Sequence, residues 1–189
     1  MCEFYTISYE DNKWVNHSLK GLDDVPAMPG VWFVLGKMPG VDEFIYLDVA
    51  ETSDIRNEIS EDIDFSKMDL NELEKKYGTR YHATNKFREP MFDCNYDQFR
   101  KFLWSYTKTH YPNLRFIIIN KEIDDKDTRR DLERYIAYKY NAIFWRDSRP
   151  YVYMDSERKK QIITDNTNNF EKENPNYKSL DIAIKSLIK

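Results

Sequence analysis

The sequence predicts an α+β domain in which a small central antiparallel β-sheet is flanked by helices. Three observations predict it. Two runs rich in β-branched and aromatic residues, Val31–Leu35 and Phe44–Ala50, are joined by the turn-forming GKMPG. Stretches with helical apolar spacing separate the strand-like runs. LRFIIIN, residues 114–120, is a short continuous apolar run of the kind found at the centre of a sheet.

Each element follows from local chemistry. Cys2–Tyr9 alternates in the manner of a strand, and after the turn-like EDN the run Lys13–His17 can return as the second strand of an N-terminal hairpin. LDDVPAMPG supplies two prolines and a glycine, a connection that cannot be helical because proline lacks the amide donor. Val31–Leu35 and Phe44–Ala50 then read as an antiparallel pair. Thr52 or Ser53 is positioned to cap a helix in which Ile55, Ile59 and Ile63 share one face, leaving Arg56, Glu58 and Asp62 off it on a solvated face.

Leu70–Tyr77 and Tyr96–Thr109 read as helices, and GTRYHATNKFREPMFD between them reads as loop. Asp124 or Asp125 caps a helix reaching about Tyr140, with Leu132, Ile136 and Lys139/Tyr140 on one stripe. A short strand is expected at Tyr151–Met154 and a polar loop at TDNTNNFEKENPN. Tyr177–Ile188 closes the chain as an amphipathic helix with Leu180, Ile184 and Leu187/Ile188 inward.

The 189 residues suit one domain. Its 14 Tyr, 11 Phe and 4 Trp can fill a core although a third of the residues are charged. Cys2 and Cys94 match no metal-ligand spacing, and the start of the chain lacks the layout of a signal peptide, so a reduced, cytoplasmic setting is expected. The longest apolar runs fall far short of the ~20 residues that cross a bilayer, so no membrane partner is expected. His17, His82 and His110 show no paired spacing and are assigned no metal.

A formal charge of −4 argues against indiscriminate phosphate binding, yet the charge is unevenly spread. Residues 51–76 carry nine acidic and four basic side chains, a surface suited to a protein partner. Residues 77–115 carry seven basic and three acidic, with Arg80, Lys86 and Arg88 as candidate nucleic-acid contacts and DNA as the corresponding partner.

The order strand, turn, strand, helix, then strand and helix, with the words PGVW and IYLDVAETSDIRNEI, resembles the GIY-YIG nuclease family, in particular the catalytic module of the excision-repair nuclease subunit. Pro29-Gly30-Val31-Trp32 stands in the first motif, Ile45-Tyr46-Leu47-Asp48 in the second, and Thr52-Ser53-Asp54-Ile55-Arg56 at the start of the helix. The resemblance implies a core at about 29–60 and 114–145, an insertion at about 64–112, and a C-terminal helix at about 177–188. It also implies roles: Tyr46 activates the attacking water, Arg56 or Glu58 occupies the phosphate-contact position, and Glu133 binds one Mg²⁺ or Mn²⁺. Such a set makes chemical sense, because phosphodiester cleavage needs a deprotonated nucleophile, a cation on the nonbridging oxygens and a metal for leaving-group charge.

Three residues depart from the family's pattern. Trp32 replaces the first-motif tyrosine, Asp48 replaces the second-motif glycine, and Glu58 competes with Arg56 for the arginine position. They imply a divergent member with weakened or lost nuclease activity, acting as a nucleic-acid- or protein-binding or inhibitory module. The retained motifs imply the alternative, an active divalent-metal-dependent endonuclease that cleaves DNA.

Overall fold

A computed structural model describes residues 3–77, 81–84, 89–92, 96–120, 125–145 and 156–188. Its N-terminal hairpin pairs β1 (Glu3–Glu10) with β2 (Lys13–Asn16). Asp11 and Asn12 turn the chain at φ 47° and 62°, a left-handed conformation that these two residue types tolerate well. A short 3-10 helix, Leu22–Asp24, leads into β3 (Gly30–Lys37), which pairs antiparallel with β4 (Ile45–Thr52). The Pro/Gly turn between them passes through Gly40 at φ 74°.

The next segment carries α1 (Ile55–Ser66), α2 (Leu70–Tyr77), β5 (Tyr81–Thr84), β6 (Glu89–Phe92) and α3 (Tyr96–His110). It is followed by β7 (Asn113–Asn120), α4 (Lys126–Tyr140), α5 (Ser156–Glu173) and α6 (Asn176–Ile188). The main sheet has the order β2-β1-β7-β3-β4, and every pairing in it is antiparallel. LRFIIIN thus occupies the centre, bonded on both edges. The protein is α+β, a small antiparallel sheet flanked by helices.

Alternation along the strands divides the core into two layers. On one face Trp32, Val34, Phe116 and Ile118 pack under Ile55, Ile59 and Ile63 of α1 and Phe102 and Leu103 of α3. On the other, Val31, Phe33, Leu35, Ile117 and Ile119 pack under Leu132, Tyr135 and Ile136 of α4 and Leu180 and Ile184 of α6. Gly30 is where α1 enters the sheet, and a β-carbon there would lie 2.5 Å from Ile55 Cδ1 and 3.0 Å from the Ile119 carbonyl oxygen.

Three sequence expectations are corrected. The stretch read as loop between α2 and α3 contains the antiparallel pair β5 and β6, four residues each. Most of TDNTNNFEKENPN is helix, because α5 runs to Glu173. Its second half is held by tertiary contacts: Phe170 lies against Tyr135 and Tyr177, and Glu171 accepts from Lys139 Nζ at 2.6 Å. The cap of α1 is Asp54, whose carboxylate accepts from Asn57 N at 3.0 Å, while Thr52 Oγ1 accepts from Asp54 N. Asp54→Ala is expected to lower stability by about 1 kcal/mol, a small shift in the urea midpoint with unchanged slope. Asp125 caps α4 as expected. The strand expected at Tyr151–Met154 lies outside the described residues.

Candidate functional site

The residues expected to act together divide between the two faces of the sheet. Tyr46 points to the α4 side, where its ring stacks on Tyr140 with centroids 4.5 Å apart and planes 12° from parallel, beside Phe33. Burial, with a smaller contribution from the Asp181 carboxylate, pushes its phenol up to about 12. A general base works best with a pKa near the working pH, and this phenol keeps its proton at neutrality. Tyr140 in turn donates to Asp181 Oδ1 at 2.6 Å, so the stack is tied to α6.

Glu133 is also on α4, seven residues before Tyr140, which is about 10 Å of helix rise. Its Oε1 accepts from Trp145 Nε1 at 2.8 Å. The arginines of α4 also reach carboxylates elsewhere. Arg129 Nε lies 3.3 Å and Arg130 Nε 3.7 Å from Glu51, and Arg134 pairs with Asp131. Among the described residues no group of three or more His, Cys, Asp and Glu side chains is arranged to hold a metal ion. A divalent ion at Glu133 would therefore take most of its shell from water and phosphate oxygens.

Arg56 belongs to α1, on the opposite side of the sheet. Its Nε donates to the Val25 carbonyl at 2.6 Å, joining α1 to the segment that precedes β3. The cause of the separation is a β-bulge. Asp48 is opposite Val34, but Tyr46 is opposite Leu35, so Leu47 is an extra residue in β4. In a regular strand Tyr46 and Asp48 would share a face. Here Asp48 faces the α1 layer and Tyr46 the α4 layer. Leu47 is fully buried over Gly36, where a β-carbon would meet its Cδ1 at 2.5 Å.

The expected solvated face of α1 is corrected too. Asp62 is 2% exposed and Glu58 is half-buried. Glu58 Oε2 accepts from Trp32 Nε1 at 3.1 Å, and Asp62 Oδ1 accepts from Arg100 at 2.6 Å. Glu61 takes the other arm of Arg100 at 3.2 Å. Burial holds the Glu58 carboxyl above its usual range, against hydrogen bonding from Trp32 and the pull of Arg100. Asp62 is raised well above its usual range by burial, and the negative charges of Glu58 and Asp48 add to the effect. Position 62 falls seven residues after Ile55, on the helix's apolar stripe, and that phase was the one sequence sign of its burial.

Seven of the nine acidic residues between 51 and 76 are engaged: Glu51, Glu61, Asp62 and Asp64 by cations, Glu58 by Trp32, and Asp54 and Asp69 by backbone amides at helix starts. That leaves Glu72 and Glu74, so the acidic surface is far weaker than its count suggests. Arg80, Lys86 and Arg88 lie outside the described residues. No protein-family model, curated protein or solved structure matches the chain.

Proposed function

We propose that this chain is a GIY-YIG-like binding module that does not cut phosphodiester bonds. The observation that carries this reading is the assignment of Tyr46 and Arg56 to opposite faces of the sheet. A nucleophile-activating group and a phosphate-holding cation must reach the same few ångströms, since catalysis by positioning is lost steeply with misplacement. The engagement of each group supports the same reading: Tyr46 is stacked and protonated at neutrality, Arg56 holds a backbone carbonyl, and Glu133 holds an indole N–H.

Incubated with supercoiled plasmid and Mg²⁺ or Mn²⁺, the protein is expected to leave the plasmid intact. Metal-dependent nicking that disappears in both Glu133→Ala and Tyr46→Phe would overturn the proposal and establish the nuclease. Of the two partner classes, an anionic one suits the described surface better. Most carboxylates between 51 and 76 are engaged, whereas Lys37 and Arg115 flank one aromatic ring without a carboxylate partner among the described residues.

A further inference from the structure

On the α4 side of the sheet, a row of side chains runs across the strands beyond the residues discussed so far. Ser8 of β1 is opposite Arg115 of β7, Arg115 is opposite Leu35 of β3, and Leu35 is opposite Tyr46. Cross-strand partners share a face, so Ser8, Arg115 and Tyr46 all point the same way. His17, exposed at the end of the N-terminal hairpin, meets the buried Ser8 hydroxyl through Nε2 at 2.6 Å. Lys37, two residues beyond Leu35 on the same face, lies on the other side of Arg115 from this pair.

Two cations here share one aromatic ring. Lys37 Nζ lies 4.8 Å and the Arg115 guanidinium carbon 4.4 Å from the centre of the Phe44 ring. A ring face attracts a cation but leaves its charge uncompensated and its N–H groups without an acceptor. Arg115 Nε is buried and has no hydrogen-bond partner among the described residues. Nearly every buried polar group in a native fold finds one, so a buried guanidinium nitrogen left without one among the described residues has donor capacity that a bound group can use. Asp42 and Glu43, exposed in the β3–β4 turn, pair with neither cation among the described residues, and Glu10 on the same face is opposite Lys13.

We propose that the corner formed by Lys37 and Arg115 around the Phe44 ring binds a phosphate group. A planar guanidinium presents two parallel donors to a phosphate, and an ammonium adds a compact charge. The proposal supplies the ligand chemistry of the binding-module reading and rests on it only for biological meaning. Cutting and phosphate binding are measured separately.

The test is calorimetric titration of the full chain at low salt with two probes: inorganic phosphate, and a short single-stranded oligonucleotide without a terminal phosphate. At least one probe is expected to bind, and Lys37→Gln and Arg115→Gln should each weaken it tenfold or more. Preference for inorganic phosphate assigns the corner to a free or monoester phosphate, and preference for the oligonucleotide assigns it to a nucleic-acid backbone. Lys37 is partly exposed and its replacement should leave the melting curve unchanged, so Lys37→Gln decides if Arg115→Gln unfolds. Absence of binding to both probes, or binding that Lys37→Gln leaves intact, would overturn the proposal. Plasmid cutting together with phosphate binding lost in Lys37→Gln would overturn the binding-module reading and leave this inference standing.

Discussion

Replacement of Arg100 by methionine is expected to lower the unfolding free energy by about 3 kcal/mol at pH 7, and by clearly less at pH 5. The change strands Asp62, whose side chain is 3% exposed, while that of Arg100 is 20% exposed. Burial of the carboxylate already outweighs the guanidinium's pull, so Asp62 is raised even with its partner present. At Arg100 the balance is reversed: burial opposes its charge, but Asp62 and Glu58 outweigh burial and the guanidinium is raised. Without Arg100 both Asp62 and Glu58 move further up.

The sign of the pH effect follows from linkage. A carboxyl whose folded pKa lies above its unfolded value, about 3.9 for Asp and 4.3 for Glu, binds its proton more tightly in the folded state. Its contribution is fully present below the unfolded value and is lost as pH rises through the raised folded one. Between those limits the variant should therefore gain stability on acidification, and the gain should exceed that of the parent. Urea unfolding at pH 5 and pH 7 measures both quantities. A loss below about 1 kcal/mol, the size expected of an exposed ion pair, would show that Asp62 is not held in a dry environment.

Much of the fold was legible because its strands and most of its helices obey simple periods. The N-terminal hairpin, the β3–β4 pair, the central β7 and the inward stripes of α1, α4 and α6 all follow from turn chemistry and apolar spacing. Three elements did not announce themselves. β5 and β6 are four residues each, and Glu89 and Pro90, both depleted in strands, open β6, so neither run is long or apolar enough to stand out. In α5 the run TDNTNN has poor helix propensity, and it is the ring contacts of Phe170 and the bond of Glu171 to Lys139 that hold its second half against α4.

At the candidate site, residue identities were legible and their grouping was not. Tyr46, Arg56 and Glu133 could be named from motif words, but one extra residue in β4 decides which face Tyr46 occupies. Apolar residues stand at both 45 and 47, so the pattern around Tyr46 does not reveal a slip of one position. The Asp62–Arg100 pair, 38 residues apart, is equally invisible along the chain. Charged residues in α1 read as a solvated face because mixed charge usually sits there, and burial beneath α3 overrides that habit.

Trp32 is the second position where a large loss is expected. It is 1% exposed, and its ring lies 5.8 Å from that of Phe116 and 6.0 Å from that of Trp104. Trp32→Ala should cost about 3–5 kcal/mol by removing this packing and leaving a cavity. Trp32→Phe separates packing from polarity, because it keeps an aromatic ring and deletes the indole N–H that reaches Glu58. In that variant Glu58 loses the hydrogen bond that opposes burial, so its carboxyl should rise further and the variant should recover stability on acidification. A double-mutant cycle of Trp32→Phe with Glu58→Gln should give a coupling of about 1 kcal/mol, the range found for residues in direct contact. A coupling near zero would mean that the two departures from the nuclease-like motifs are independent. A clear coupling would mean that a tryptophan in the place of a tyrosine and a glutamate beside the arginine position form one structural substitution, in which a hydrogen bond under α1 stands where the family resemblance implies phosphate chemistry.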